Sequence, residues 1–203
     1  MASGKENYVR FDELEKLPRL NRENYLFEHQ YLVRNIPQGA SVIQVGSMDG
    51  MRAIRLAADR PDLRIVGLEI ESELVELALR NVQAEGLNIE FLVGDIVDPP
   101  KTLAPADACI CLNNTLGFIR KYNAALASIQ SLGTHALVSV FGETFQDELA
   151  RTYYAGIGMT VSKIDDDKIY TTGGDTLRRF RRQEVRSWGK ILAETPLGYL
   201  VAL

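Results

Sequence analysis

The stretch "SVIQVGSMDG", residues 41–50, decides the fold of this chain. Its first five residues read as a buried strand, and an apolar helical pattern begins directly after Gly50. Gly46 and Gly50 lie in the turn between them, where glycine lets the backbone bend tightly and approach a ligand closely. A strand, a glycine-containing turn and a helix in this order predict the first unit of an open α/β sheet, with a ligand site at the turn.

The rest of the chain extends this pattern in both directions. Up to residue 141, five strand-like runs are separated mostly by helical segments, which predicts a parallel sheet covered by helices on both faces. Beyond it follow a helix, the strand-like segments "MTVSKI", "DDDKIYTT" and "LRRFRR", a short helix and two last strands. We predict an α/β, doubly wound, mostly parallel seven-stranded sheet with antiparallel C-terminal strands and an N-terminal helical lid.

Composition limits the classes of function. The 203 residues are 46% hydrophobic and 25% charged, which is ordinary for one globular domain, and the net charge of -4 disfavours nucleic acid and membranes as general partners. No apolar run reaches the roughly 20 residues of a membrane-spanning helix, so we expect a soluble, cytoplasmic protein. Cys109 and Cys111, two apart in a predicted strand, should share one face as reduced core residues.

Acidic residues stand at the ends of the next two predicted strands. Glu69 ends the second strand a little over twenty residues after Gly46, the spacing at which a carboxylate meets the hydroxyls of a ribose. Asp95 follows the third strand beside the same crevice, where it can accept a hydrogen bond from an exocyclic adenine amine. Each residue alone could serve a helix start or a turn, but the three features together predict a nucleoside-containing ligand.

These motifs resemble those of the class I S-adenosylmethionine-dependent methyltransferases. "VIQVGSMDGMRAIRLA", "IVGLEIESELVELALRNVQAEGL" and "IEFLVGDI" are similar to the first three motifs of the family, and "ADACICLNNTLGFI" to its fourth strand and following loop. The resemblance implies a Rossmann-like fold, S-adenosyl-L-methionine as cofactor and methyltransferase activity. It also implies a set of cofactor-binding residues: Gln44, Gly46, Ser47, Gly50, Glu69, Ile70, Asp95, Ile96, Leu112 and Asn113.

The resemblance gives these residues different parts of the cofactor. The glycine turn would line the methionine and ribose, Glu69 would hold the ribose hydroxyls, and Ile70, Asp95 and Ile96 would surround the adenine. Leu112 and Asn113 would lie under the methionine amino group. The chain departs from the family at two positions, because Gln44 stands where an acid is usual and Met48 where a glycine is usual.

By this likeness residues 1–203 form a single methyltransferase domain in three parts. Residues 1–40 form an N-terminal helical cap built from "FDELEKLPRL" and "NRENYLFEHQYLVRNI", and residues 41–141 the cofactor-binding core. Residues 142–203 supply a C-terminal helix, substrate-side strands and the final strands of the sheet. The acceptor should therefore lie between the helical cap and the late strands.

The predicted acceptor is a small molecule, because the chain offers no separate recognition domain. We expect Tyr25 and His29 as catalytic residues, and Asn114 with Arg179 and Arg181 as substrate-binding residues. No metal is implied, since "LNNTLG" offers amides and a hydroxyl after the fourth strand rather than carboxylates.

Other functions stay open at this point. The arginine cluster at residues 178–186 could serve an RNA or protein methyltransferase, although a solvated face paired with the acids at residues 165–167 explains it as well. An NAD(P)-dependent oxidoreductase shares the fold, but its G-x-G-x-x-G fingerprint is replaced here by G-x-x-x-G. A non-catalytic protein that binds the cofactor is the third alternative.

Overall fold

The computed structural model describes Leu14 and residues 17–203. Helices and strands alternate through most of this part of the chain. In order they are α1 (Arg19–Asn35), β1 (Ser41–Val45), α2 (Met51–Asp59), β2 (Arg64–Glu69), α3 (Ser72–Glu85), β3 (Glu90–Val93), β4 (Ala106–Cys111), α4 (Thr115–Phe118), α5 (Tyr122–Leu132), β5 (Gly133–Phe141), α6 (Asp147–Gly156), β6 (Val161–Asp165), β7 (Lys168–Thr171), β8 (Thr176–Arg178), α7 (Arg182–Trp188), β9 (Lys190–Glu194) and β10 (Gly198–Ala202).

The central sheet has seven strands in the order β3-β2-β1-β4-β5-β10-β9. The strands β1 to β5 pair in parallel, whereas β10 runs antiparallel to both β5 and β9. This confirms the predicted fold class, including the antiparallel strands at the C-terminal edge. The chain order reverses between β1 and β4, and at such a point the carboxyl ends of neighbouring parallel strands border a crevice.

Both faces of the sheet are apolar and covered by helices. Val42 packs in a cluster with residues of α1, α2 and α3, whereas Ile43 and Val45 pack on the opposite face against α5 and α7. The alternation follows from the strand geometry, in which successive side chains point to opposite faces. Cys109 and Cys111 are free, fully buried and on one face, as predicted, and burial raises the pKa of the Cys109 thiol to about 12.

The N-terminal cap is described only in part. The helix predicted over "FDELEKLPRL" lies largely outside the described residues, whereas the second predicted helix is α1. The buried positions of α1 include four polar side chains: Asn21, Asn24, Glu28 and His29. The contact of α1 with the body of the protein is therefore partly polar. No helix within residues 17–203 is long and apolar enough to cross a membrane.

A second, three-stranded antiparallel sheet, β6-β7-β8, follows α6. Its buried Ile169 and Leu177 pack in a cluster with aromatic residues of β5 and α6. The strand expected over "LRRFRR" is shorter than predicted, because β8 ends at Arg178. Phe180 leaves the strand to donate its backbone N–H to the carbonyl of Phe141 at 2.8 Å, and its ring is fully buried. The packing of Phe180 in the core thus ends the alternation of side chains between the two faces of the strand, which had predicted a longer strand here.

Candidate active site

A cavity of about 610 Å³ opens at the carboxyl ends of the parallel strands. This volume lies within the range of sites that hold small molecules and cofactors. Six residues predicted to bind the cofactor line it together: Gly46, Glu69, Ile70, Asp95, Ile96 and Asn113. The fold therefore brings residues from four separate segments of the chain to one wall, which is the placement that their predicted role requires.

The cavity has two ends of different chemistry. The glycine-loop end is formed by residues at or just after the ends of β1, β2 and β3: Gly46, Glu69, Ile70, Asp95 and Ile96. The aromatic end is formed by apolar and aromatic residues of α4, β5 and the α6 region: Phe118, Phe141, Tyr153, Tyr154 and Ile157. Because β3 and β5 lie on opposite sides of β1 and β4 in the sheet, the two ends are separated, with Asn113 and Thr115 between them.

Gly46 allows the loop after β1 to pass close to the loop after β4. Its φ angle is +68°, and a Cβ atom placed there would lie 2.5 Å from Cγ2 of Thr115. Its backbone N–H donates to the carbonyl oxygen of Leu68 at 2.8 Å, which holds the turn against β2. A side chain at this position would therefore face both a left-handed backbone and a steric clash.

The carboxylate of Glu69 organises the glycine-loop end. One oxygen accepts the backbone N–H of Met48 at 2.9 Å, and the other accepts the N–H groups of Ile70 at 2.8 Å and Glu71 at 3.2 Å. Met48 has a positive φ of 50°, so a non-glycine residue occupies a left-handed conformation where the family usually has glycine. The bond from Met48 to Glu69 helps to hold this conformation while the carboxylate also lines the cavity.

The remaining residues at the glycine-loop end supply an apolar wall and a turn. Ile70 is 61% exposed although it is a large aliphatic residue, and it lines the cavity. Ile96 is buried beside it in the wall, while Asp95 begins a turn in which its carboxylate accepts the N–H of Val97 at 2.8 Å. An occupant packed on Ile70 would remove this apolar surface from water.

Gly50 has a packing role that the sequence did not suggest. Its φ angle is +79°, and a Cβ atom there would lie 2.8 Å from Cζ of Phe91 and 2.9 Å from Cβ of Ala78. Gly50 is not among the residues that line the cavity. The glycine is therefore needed for the close approach of the loop to α3 and β3, whereas its predicted contact with the cofactor stays a prediction.

Three further predicted cofactor residues lie behind the cavity wall rather than on it: Gln44, Ser47 and Leu112. Gln44 is only 3% exposed, and neither its Oε1 nor the hydroxyl of Ser47 has a hydrogen-bond partner among the described residues. Leu112 is buried, and its carbonyl accepts the N–H of Thr115 at 3.0 Å. Gln44 and Ser47 keep unused hydrogen-bonding capacity beside the motif, which fits a site that is completed by a bound molecule or water.

The aromatic end was missed by the sequence analysis. Phe141 makes tilted or edge-on ring contacts with Phe145, Tyr153 and Tyr154, with the centroids of Phe141 and Tyr153 5.0 Å apart. Burial raises the pKa of the Tyr153 hydroxyl, and the negative charge of Glu28 adds to this effect. Tyr153 is therefore a neutral phenol at ordinary pH. The adjacent tyrosines in "RTYYAG" of α6 were the available signal, but only their packing on β5 identifies them as cavity residues.

A buried polar network joins α1 to the middle of the cavity, and it was also missed. Glu28 is only 2% exposed, and its carboxylate lies 2.9 Å from the Arg52 guanidinium of α2. The same carboxylate accepts the backbone N–H of Asn113 at 3.1 Å and the hydroxyl of Ser139. A buried carboxylate requires partners of this kind, because desolvation disfavours an unpaired charge.

Tyr25 and His29, the predicted catalytic residues, do not line the cavity. Their rings stack with centroids 6.0 Å apart, as their spacing on one face of α1 suggests, but that face packs on α2. The Arg52 guanidinium lies 4.3 Å from the centroid of the Tyr25 ring, and His29 Nε2 lies 2.7 Å from a carboxylate oxygen of Asp59. The two residues thus attach the cap to the core, away from the cavity, and their catalytic role stays a prediction.

The predicted substrate-binding residues are also placed elsewhere. Asn114 is buried, where its side chain accepts the N–H of Phe141 at 3.0 Å and donates to the carbonyl of Arg178 at 3.2 Å. Arg179 pairs with Asp147 at 2.9 Å, and Arg181 pairs with Asp166 at 2.9 Å. None of the three residues Asn114, Arg179 and Arg181 lines the cavity, so no arginine of this segment turns inward. These residues connect β5, β8 and the neighbouring loops instead.

Acidic side chains also neutralise other members of the arginine cluster. Arg178 contacts Asp167 at 2.8 Å and Glu184 at 3.0 Å, and Arg182 contacts Glu194. Metal-ligand clusters of three or more His, Cys, Asp or Glu side chains do not occur within the described part of the chain.

Known proteins that are similar to this chain include several methyltransferases. Residues 42–133 match the family model described as a methyltransferase domain. Over 83 residues the chain is 26% identical to the release factor glutamine methyltransferase of Staphylococcus aureus, covering 41% of this chain and 29% of that protein. Over 131 residues it is 27% identical to the ribosomal RNA small subunit methyltransferase G of Desulfotalea psychrophila, and this alignment covers 63% of this chain and 59% of that protein.

The chain shares its fold with a solved S-adenosylmethionine-dependent methyltransferase from Clostridium acetobutylicum. The TM-score is 0.63 at 11% identity, and the alignment covers 95% of this chain and 96% of that one. The chain spans between a quarter and two-fifths of the length of the first curated relatives that it matches. Residues 42–133 are thus similar to a methyltransferase domain, and the chain shares its fold with a solved S-adenosylmethionine-dependent methyltransferase.

Proposed function

We propose that this protein transfers a methyl group from S-adenosylmethionine to a small-molecule acceptor without a metal ion. The observation that carries this proposal is a single cavity that runs from the glycine-loop end, beside the family's motifs, to the aromatic end. Such a cavity can hold a cofactor and an acceptor side by side. When bound, S-adenosylmethionine supplies a methyl group that its sulfonium has already activated.

The residues at the glycine-loop end fit this cofactor. Glu69 presents a buried carboxylate at the cavity wall, and Ile70 presents an exposed aliphatic surface on which an adenine ring can pack. Gln44 directly precedes Val45, which lines the cavity, and its Oε1 has no hydrogen-bond partner among the described residues. We propose that Glu69 binds the ribose hydroxyls and that Ile70, Asp95 and Ile96 surround the adenine.

The aromatic end would position the acceptor and exclude water. Phe118, Phe141 and Tyr153 provide an apolar wall, and holding two reactants in line at close range supplies much of the rate of a transfer of this kind. Tyr153 does not act as a general base in this proposal, because its raised pKa keeps the hydroxyl protonated. The side chains of this end therefore orient the acceptor rather than react with it.

The pairing of the arginine cluster favours a small molecule over RNA. A phosphate site needs cationic side chains that are free to contact phosphate oxygens, whereas Arg178, Arg179 and Arg181 are each paired with an acid. Two relatives are named as methyltransferases of a release factor and of ribosomal RNA, so protein and RNA acceptors are the alternatives. Transfer of labelled methyl groups to protein or to RNA would identify them.

Two measurements test the proposal. Calorimetry with S-adenosylmethionine and S-adenosylhomocysteine should show binding, and NAD(H) and NADP(H) should show none; the reverse result would indicate an oxidoreductase. Methyl-labelled S-adenosylmethionine is then incubated with the protein and with separated metabolite, protein and RNA fractions. Label should appear in the metabolite fraction. Label confined to RNA, with binding that weakens steeply as salt rises, would overturn the small-molecule assignment.

A further inference from the structure

We propose that Asn113 selects methyl acceptors that present a carboxylate, phenol or carbonyl oxygen to its side chain, and disfavours acceptors that present an amine there. This inference rests on the proposed function, since it concerns the acceptor in the same cavity, and it assigns to the acceptor a side chain that the family resemblance placed under the methionine amino group. It follows from a chain of hydrogen bonds that begins at Glu28 and ends at the cavity wall. Each bond in the chain fixes which atom of the next residue donates and which accepts.

The first bond fixes the amide of Asn24. The Glu28 carboxylate, which is paired with Arg52, can only accept hydrogen bonds. The Asn24 side-chain atom that faces it, at 3.4 Å, is therefore the nitrogen Nδ2. A flipped Asn24 amide would bring two acceptor oxygens together, so Glu28 excludes the other orientation.

The second bond fixes the amide of Asn113. Nδ2 of Asn24 also lies 3.3 Å from the side chain of Asn113, and a donor requires an acceptor, so the facing atom is Oδ1. The same Oδ1 lies 2.6 Å from the hydroxyl oxygen of Tyr153, which must then donate its proton. Two donors thus occupy the only acceptor of the Asn113 side chain.

The remaining atom, Nδ2 of Asn113, is a donor at the cavity wall. It makes no hydrogen bond within the described residues, and it is not among the fully buried unpartnered atoms. The backbone N–H of Asn113 is held by Glu28 at 3.1 Å and by the Ser139 hydroxyl at 2.7 Å, which anchors the residue in its left-handed conformation, φ +52°. The side chain therefore meets a ligand with its two N–H groups.

This polarity defines the acceptor class. An oxygen that faces Nδ2 can accept a hydrogen bond, whereas an ammonium or amine N–H would meet another donor and be left unpaired, which is unfavourable in a site shielded from water. The aromatic end supplies ring-sized apolar walls from Phe118 and Phe141. Charged side chains also line the cavity: the carboxylate of Asp175 would favour an ammonium, and the cations of Arg120 and Lys121 would favour a carboxylate.

The experiment compares two ring probes that differ in their polar group. Binding of benzoate and of benzylamine is measured by calorimetry on protein saturated with S-adenosylhomocysteine. Benzoate should bind more tightly to the native protein. Asn113→Asp replaces the Nδ2 donor with an acceptor oxygen at nearly constant shape, so it should weaken benzoate about tenfold or more and strengthen benzylamine. Asn123→Asp on the exposed face of α5 adds the same charge at a residue that does not line the cavity and should change neither affinity.

A second variant, Tyr153→Phe, tests the inference even if Asn113→Asp does not fold. Tyr153→Phe removes one of the two donors that occupy Oδ1, so the amide can reorient and the preference for benzoate should narrow about threefold. If the native protein does not bind S-adenosylhomocysteine, the proposed function itself is overturned. If the native protein binds the cofactor, three results would overturn only the present inference. These are no benzoate binding, a preference of the native protein for benzylamine, or a preference for benzoate that is unchanged in both variants.

Discussion

The two ends of the cavity are built by different means. At the glycine-loop end, three short loops follow parallel strands, and the wall consists of backbone, two glycines and side chains next to each strand end. At the aromatic end, rings from β5 and α6, far apart in sequence from the first loops, pack on one another and on the three-stranded sheet. The first end is specified locally by motifs, and the second by long-range packing. Substitutions should therefore affect the two ends in different ways.

The largest effect is expected at Gly46. Gly46→Ala combines a left-handed φ with a clash against Thr115, so it should destabilise the protein by more than about 2 kcal/mol and weaken S-adenosylhomocysteine binding about a hundredfold. Gly86→Ala is the matched control, because its φ is +66° and no atom lies within 4 Å of the added Cβ. Thermal unfolding and calorimetry should show a loss of about 1 kcal/mol and unchanged binding in the control. Equal effects in both variants would contradict the close approach of the two loops.

A smaller loss of cofactor affinity is expected at Glu69. Glu69→Ala removes a charged hydrogen-bond acceptor from the glycine-loop end and should reduce the affinity for S-adenosylhomocysteine about thirtyfold, or about 2 kcal/mol. Glu76→Ala on the exposed face of α3 removes the same charge without touching the cavity. Calorimetry on both proteins makes the comparison. If the two variants bind alike, Glu69 only holds the Met48 loop and does not contact the cofactor.

Ile70 and Phe118 form a reciprocal pair, since both are large, exposed apolar residues at opposite ends of the cavity. Ile70→Ala should weaken cofactor binding about tenfold and leave benzoate binding to the cofactor-loaded protein unchanged. Phe118→Ala should instead weaken benzoate binding to the cofactor-loaded protein about tenfold and leave cofactor binding unchanged. Saturation with S-adenosylhomocysteine before the benzoate titration separates the two effects. A loss of cofactor affinity in Phe118→Ala would show that the two ends do not bind separate molecules.

The smallest effect is expected from a chelator. Addition of EDTA should leave methyl transfer unchanged, because the loop after β4 contributes Asn113, Asn114 and Thr115 rather than carboxylates. The measurement is turnover of the identified acceptor before and after exhaustive treatment, followed by addition of magnesium. Loss of activity that magnesium restores would mean that the middle of the cavity holds a cation and that the proposed mechanism is incomplete.

Several features of the site could be predicted from sequence because they depend on neighbouring residues. The glycine turn, the carboxylate of Glu69 at the end of β2 and the turn at Asp95 each follow directly from a strand, so a strand prediction also places them at one edge of the sheet. The roles of Tyr25 and His29 could not be predicted in this way. Helical spacing correctly put both on one face of α1, but only the packing of α1 on α2 decides what that face meets.

The arginine segment shows the same limit. The sequence determined that Arg178 to Arg182 are a concentrated positive charge, and it left open whether they face a ligand or acids. The burial of Phe180 ends β8 early, and Arg179 and Arg181 then reach Asp147 and Asp166. Charge pairing between segments that are distant in sequence is a property of the folded chain.

The sequence by itself determined the class of fold, the alternation of strands and helices and the glycine turn after β1, because strand periodicity and glycine turns are local properties of the backbone. Only the tertiary structure decided that Glu28 reaches Asn113 from α1 and that Tyr153 closes the cavity from α6. These contacts join residues forty or more positions apart, and no local pattern encodes the partner. The orientation of one amide, and with it the polarity that the site offers to its acceptor, depends on that packing.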